Sequence, residues 1–341
     1  MRARVAWIWP PIAFYPKRFW LEEKRDSLQY TIEEVAKEHD VLLLAPVSGK
    51  SHLVDEKYLY ADAKEALHAL IRFNPDIINL NLFASNFNEA TATSFPKSFI
   101  TLSDYGGDLF CSYAKHVAVF FTTGKSRKKI IVSKNGVPPE RVVLNPYGAD
   151  TRRFYPDDSV EKTYTGIMVG DFRRRKQQHL IIKIWVDVEG KLLLVGRTRP
   201  PLGDVDYVKE CRALIGRLGL SERVEIQDFV LNDELPRIIN SAEIGIRASK
   251  GGAGGRAATE TMACGLPLIV LKNKLNEELV KSGGIKEVEL GSMAAAVNHL
   301  KNNPDEYREL SEAALRAIKS YTYDGMLAIY RKVIDEASAT R

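Results

Sequence analysis

Cysteine is scarce, and its placement excludes more than its number. Cys111, Cys211 and Cys264 are the three cysteines of the 341-residue chain. They are scattered, with no C-x-x-C pair and no partner at metal-ligand spacing. That pattern argues against a disulfide framework or a zinc site, and a reducing, cytoplasmic setting is expected. Long apolar runs are missing as well: nothing approaches the ~18–20 residues a membrane span requires. The opening MRARVAWIWPPIAF is basic and then apolar, like a short signal peptide. Two prolines interrupt it, no small-residue cleavage site follows, and it reads as a first buried strand. Internal repeats and low-complexity segments are absent. Charge of one sign is not in large excess either: 49 Lys and Arg against 44 Asp and Glu leave +5. That mild balance suits an anionic ligand or a membrane surface better than bulk nucleic acid.

What is present has a globular balance, 45% hydrophobic and 27% charged. The length exceeds one compact core, and two domains of roughly 150 residues each are expected. Strand-like and helix-like segments alternate, which is the pattern of parallel α/β layers. In the first half the strands read RVAWIW, DVLLLAP, DIINLNL, SFITL, VAVFFT and RVVLNP. Stretches such as YTIEEVAKEH and ADAKEALHALIRF lie between them, with apolar residues at i, i+3 and i+4. In the second half the strands are TGIMVG, KLLLVG, RVEIQ, AEIGIRA and LPLIVL. NPYGADTRRFYPDDSVEKTYTG between the halves reads as a surface linker, so the boundary is expected near Pro156. After about Gly291 the pattern becomes helical. Two doubly wound domains would bind ligands at the carboxyl ends of their strands.

Two segments carry chemistry. GGAGGRAATETMACGLP, from Gly251 to Pro267, follows the strand AEIGIRAS. It reads as a glycine turn, a short helix from about Arg256 to Cys264, a cap at Gly265 and a stop at Pro267. Such a helix start presents bare N–H groups and a positive dipole end to an anion. Glu260, a turn further in, is an acceptor suited to paired sugar hydroxyls. The alternative reading is a flexible loop ahead of a surface helix. GDFRRRKQQHLIIKIW follows TGIMVG and crowds Arg173, Arg174, Arg175 and Lys176 at the end of a strand. Such a cluster repels itself unless solvated or matched by an anion. It reads either as a solvated basic turn or as a diphosphate clamp, with Arg as a fork and Lys as a point charge.

These pieces, taken in order, resemble the retaining glycosyltransferases of family four, which have the GT-B fold. The likeness runs through NPDIINLNL, RVVLNPYGADTRRFYP, IMVGDFRRRKQ, LLLVG, LGLSERVEIQDFV, LPRIINSAEIGIRAS, TETMACGLPLIV and KSYTYDGMLAIYRKV. It implies two Rossmann-like domains facing a central cleft, residues 1–156 for the acceptor and 157–323 for a nucleotide-sugar donor. The C-terminal helix, 324–341, is expected to cross back to the first domain. Arg175 and Lys176 would hold the donor diphosphate, with the backbone of Gly254, Gly255, Arg256 and Ala257 on its other side. Glu260 would bind the ribose, and the turns after Gly196 and around Phe229–Val230 would flank the base. Gly170, Arg174, Arg197 and Gly252 complete the implied donor set.

Departures from the family pattern accompany the likeness. The first of its two glutamates is Gly252 here, the glycine pair after the first strand is Pro10–Pro11, and Asp171 stands where many members have arginine. Where many members have a histidine this chain reads TLSDYGGDLF, with Ser103 or Tyr105 in its place and Asp104 and Asp108 as nearby acids, counted among the catalytic candidates. Pro11, Tyr15, Ser103 and Tyr105 are expected on the acceptor side. PPIAFYPKRFW suits a lipid headgroup or membrane interface, or equally a partly buried loop; GKSRKK reads as a solvated helix start.

The resemblance thus implies hexose transfer from a nucleotide-diphosphate sugar to a glycan or lipid-linked acceptor. No metal or other cofactor and no nucleic-acid partner is expected, and peripheral contact with the inner membrane face is considered. A nucleotide-sugar epimerase of the same fold and a non-catalytic nucleotide-sugar binder are the rival readings.

Overall fold

The computed structural model describes the chain apart from residues 1, 9–26, 47–51, 56–57, 62, 82–85, 96–97, 104–110, 199–202, 229, 232, 251–254, 274–279 and 340–341. The chain forms two compact units, one of residues 1–146 with 324–341, the other of 147–323.

The first unit is built on an eight-stranded sheet, ordered β3-β4-β2-β1-β5-β6-β7-β8. Its strands are β1 (Arg4–Ile8), β2 (Asp40–Pro46), β3 (His52–Asp55), β4 (Tyr58–Ala61), β5 (Ile77–Asn81), β6 (Phe99–Ser103), β7 (Val119–Thr122) and β8 (Val142–Leu144). All neighbours are parallel except the edge pair β3–β4. That antiparallel pair adds two edge strands to the parallel layer: HLVD and YLYA are too short to show a period of their own. One face buries Val5, Trp7 and Phe121 against Met326, Leu327, Tyr330, Val333 and Ile334 of the helix Tyr323–Ala339. The Tyr330 ring lies 4.5 Å from Phe121 and 5.8 Å, edge-on, from Trp7. The C-terminal segment is thus part of the first unit's core, held by aromatic burial.

The second unit has a six-stranded, all-parallel sheet ordered β11-β10-β9-β12-β13-β14. Its strands are β9 (Tyr164–Val169), β10 (Leu192–Val195), β11 (Val224–Gln227), β12 (Ala242–Arg247), β13 (Leu268–Leu271) and β14 (Ile285–Val288). Alternate residues enter opposite cores: Met168, Leu192, Leu194, Ile244 and Ile246 on one face, Ile167, Leu193, Val195, Leu268 and Val270 on the other. Both faces being covered, the strands read as unbroken apolar runs. Counted from β9, the strand order is that of a doubly wound dinucleotide-type sheet, and its direction reverses between β9 and β12. Loops leaving adjacent carboxyl ends diverge there, which leaves room for a ligand.

The boundary falls after Pro146 rather than at Pro156. Ala149 and Phe154 are buried in the second unit's core, and the Ala149 amide donates to Tyr321 O at 2.8 Å. Half of the polar linker is therefore structural. Among the described residues, no helix is long and apolar enough to cross a membrane.

Candidate active site

The basic turn after β9 is fixed on several sides. Gly170 N donates to Val195 O at 2.8 Å. A Cβ at Gly196 would stand 2.2 Å from Gly170 O, so only glycine lets the exits of β9 and β10 approach this closely. Gln178 is buried, and its Nε2 donates to Gly170 O at 3.2 Å and Asp171 O at 3.0 Å. Arg174–Lys176 form one 3-10 turn, which Gln177 ends in the left-handed region at φ +62°. The half-buried Lys176 lies along Gly170: a Cβ there would meet its Cδ and Cε at 3.8 Å and its Nζ at 3.9 Å.

The second arm leaves β12. Arg247, its last residue, is 6% exposed. Asn273 Nδ2 holds the exit by donating to Ser249 O at 3.3 Å and Lys250 O at 2.9 Å. Gly255 caps the helix Arg256–Ala263 and brings no side chain to its first N–H groups. The nearest atom to a Cβ at Gly255 would be Arg247 Nη2, at 3.6 Å. Glu260 is buried one turn into the helix, which ends at Gly265 with φ +76°, where the sequence calls for a cap.

The two arms touch. Lys250 N donates to Arg175 O at 2.9 Å, tying the basic turn to the exit of β12 across the switch point. The result is an accumulation of positive charge around Lys176 and Arg247. Burial, Arg247 and Arg175 together bring the Lys176 ammonium down to about 7, against a smaller opposing pull from Asp171. Burial brings Arg247 down to about 10, although Glu260 opposes it. Among the described residues neither cation has an ion-pair partner within salt-bridge distance. Like charges and a positive helix end, drawn together out of water, form a site prepared for an anion.

Gly170, Arg175, Lys176, Gly196, Gly255, Arg256, Ala257 and Glu260 all lie on or beside these two arms. Arg197 follows Gly196, its carbonyl accepting from Phe172 N at 2.9 Å, and Val230 packs on the second core. Arg174 turns away from them. It pairs with Glu210 and stacks over the Tyr207 ring at 5.6 Å, on the outer face of the unit. A carboxylate thirty-six positions downstream captures it, which a local reading of the RRRK run misses. Ser103 ends β6 in the first unit. Pro11, Tyr15, Asp104, Tyr105, Asp108, Phe229, Gly252 and Gly254 lie outside the described residues. Sequence reasoning missed Arg247, Gln178 and Asn273. For Arg247 the signal was a lone cation closing an otherwise apolar strand.

Residues 153–317 match the family model for glycosyl transferases group 1. The matched segment lies within the second unit. The MMP α-(1→4)-mannosyltransferase of Mycolicibacterium hassiacum is 24% identical over 240 residues, which cover 66% of this chain. The chain spans 57% of that relative's length. Among solved structures, sucrose-phosphate synthase from Thermosynechococcus elongatus aligns over 100% of both chains at TM-score 0.79 and 15% identity. Anabaena HepE in complex with UDP-glucose aligns over 98% of this chain and 100% of its own, at TM-score 0.75 and 14% identity. The fold is the GT-B pairing of parallel-sheet Rossmann-like domains, as in these neighbours. The basic turn, the β12 exit and the Arg256 helix all fall inside the matched segment.

Proposed function

We propose that the protein is a retaining glycosyltransferase of family four. It would move a hexose from a nucleoside-diphosphate sugar to a hydroxyl of a glycan or lipid-linked acceptor. The observation that carries the reading is the junction of two turns at the switch point, Lys250 N on Arg175 O, beside an ammonium that has no salt-bridge partner among the described residues. Anion chemistry belongs at such a place. The mannosyltransferase likeness and the UDP-glucose complex of HepE make a nucleotide sugar the natural anion.

In this reaction the bond from the sugar's anomeric carbon to the diphosphate oxygen breaks, and its electron pair stays with the oxygen. The acceptor oxygen then bonds the anomeric carbon from the same face, and its proton passes to the departing phosphate. The sugar gains oxocarbenium character while charge grows on the diphosphate. Lys176, Arg175 and the start of the Arg256 helix meet that charge, and Glu260 holds the ribose hydroxyls. Preorganised donors of this kind lower a barrier by ~3–4 kcal/mol each. We further infer that these fixed cations, rather than a divalent metal, take up the diphosphate charge.

The test is incubation with a panel of UDP-, GDP-, ADP- and dTDP-sugars, with and without glycan and lipid-linked acceptors. Acceptor-dependent release of one nucleoside diphosphate supports the proposal. Epimerised donor supports the epimerase, and tight binding without release overturns transfer.

A further inference from the structure

A buried arginine ordinarily spends its donors. Even the half-buried Arg141, in the first unit, gives its guanidinium to the carbonyls of Ala114, Val117 and Ala118. Arg223, in the second, serves Trp185 O and Val188 O. Arg247 does not follow them. It is the most buried of these arginines, yet its single hydrogen bond among the described residues runs from Nη1 to Val169 O at 3.4 Å. Its Nε is buried with no partner among the described residues. Its Nη2 faces Gly255, the cap residue that brings no side chain to the start of the Arg256 helix. A guanidinium withdrawn from water without partners is strongly unfavourable in a finished core. The arrangement is intelligible if a ligand supplies the missing acceptors.

We propose that Arg247 is a third arm of the diphosphate site, gripping the leaving phosphate with donors the fold leaves unspent. This rests on the reading of the site given above and adds to it a residue that its two turns alone do not include. The geometry is complementary. Lys176 approaches along Gly170 from β9, while Arg247 rises from the end of β12, and these two strands flank the switch point. Lys176 is a point charge, and Arg247 is a planar fork that fits two phosphate oxygens at once. The charged surroundings are consistent with this. Around Lys176 stand Arg173 and Arg175 in its own turn, Asp171 at the exit of β9 and Arg247 from β12; Glu260 faces Arg247 from the helix. Arg247 repels Lys176 across the site, and an arriving anion relieves that repulsion.

Burial and the neighbouring guanidinium together hold Lys176 near 7 in the free protein. An arriving diphosphate favours the ammonium, so binding takes up a proton above that pH. Arg247 is the arm that stays charged throughout.

The experiment titrates full-length wild type, Arg247→Met, Arg247→Lys and Lys176→Ala with UDP, GDP, ADP and dTDP, then with the nucleoside of the diphosphate that binds best. Arg247→Met should weaken diphosphate binding about 10- to 100-fold, the range for hydrogen bonds to a charged group. Nucleoside binding should stay within about twofold. In Arg247→Met the pH at which diphosphate affinity begins to fall should move upward, because Lys176 loses a repelling neighbour. Arg247→Lys keeps the charge without the fork, and should lie about five- to tenfold below wild type; it decides alone if Arg247→Met does not fold. Wild-type diphosphate affinity in whichever variant folds overturns the proposal, as does an equal loss for nucleoside and diphosphate. The two readings fail separately. A Lys176→Ala protein that binds diphosphate like wild type sinks the site itself. Weak binding in Lys176→Ala with normal binding in Arg247→Met sinks only the role of Arg247.

Discussion

Arg4 and Arg247 occupy comparable strands and meet opposite fates. Arg4 opens β1, which lies beside β5 where the first sheet's order reverses; Arg247 closes β12, beside β9 at the corresponding place in the second. At the amino edge Arg4 is satisfied. Asp76 accepts from its backbone N at 2.8 Å, from Nε at 3.3 Å and from Nη2 at 3.2 Å. The carboxylate holds that guanidinium above its ordinary range. At the carboxyl edge Arg247 has, among the described residues, one long bond and no carboxylate at salt-bridge distance, and burial brings it down to about 10 although Glu260 opposes this. The difference follows from chain direction. Loops at the carboxyl edge lead into helix starts, which are positive, and a cation placed there adds to a charge of its own sign. Such an arrangement persists because something other than the fold uses it.

The strongest way to break this comparison is to remove the carboxyl-edge chemistry. Lys176→Ala and Glu260→Ala should each lower nucleoside-diphosphate release from the preferred sugar donor by at least ~100-fold, the size expected for one preorganised contact. Steady-state turnover measures this, and near wild-type rates in either would remove that residue's role. Next in size is Gly196→Ala. Its Cβ would stand 2.2 Å from Gly170 O and 2.5 Å from Gly170 C, both backbone atoms that cannot rotate aside. The exits of β9 and β10 must separate, at a cost of about 1–3 kcal/mol read from the urea midpoint. Because the displaced strand end carries the basic turn, diphosphate affinity should fall in the same variant.

Much of this was legible in the sequence, and the exceptions share a physical cause. The parallel layers announced themselves because sheets covered on both faces leave apolar runs such as KLLLVG and AEIGIRA. The stop at Gly265 and Pro267 followed from backbone conformation alone. What escaped depended on partners distant in the chain. Phe154 looks like part of a polar linker until Ala149 pairs with Tyr321 across the second unit. Arg174 looks equivalent to Arg175 until Glu210 claims it. Arg247 is one letter in IGIRAS. Its meaning needs the strand order, which sets β12 against β9 and so brings it beside Lys176.

A third expected effect is a pH dependence set by Lys176 in the second unit. Lys176 sits near 7 in the free protein and near 10.5 when unfolded. Between those values the unfolded chain binds more protons, so the free protein gains stability as pH rises through that window. Ligand binding runs the other way. The diphosphate complex keeps Lys176 charged, so affinity should hold below pH 7 and then fall, by at most about tenfold per unit. Isothermal titration at several pH values measures this, with proton uptake read from buffers of different ionisation enthalpy. A flat profile from pH 6 to 9 would show that the ammonium does not meet the ligand.

The smallest expected effect returns to the amino edge and sharpens the comparison most. Arg4→Met removes a cation as surely as Arg247→Met does, but it breaks a partly exposed pair with Asp76. Exposed pairs contribute little, so the thermal midpoint should drop only slightly. Diphosphate affinity and its pH profile should not move, because Arg4 serves the first sheet and faces no ligand. If Arg4→Met weakened diphosphate binding as much as Arg247→Met, the losses would reflect general loosening of the chain, and the distinction between the two sheet edges would have no functional content.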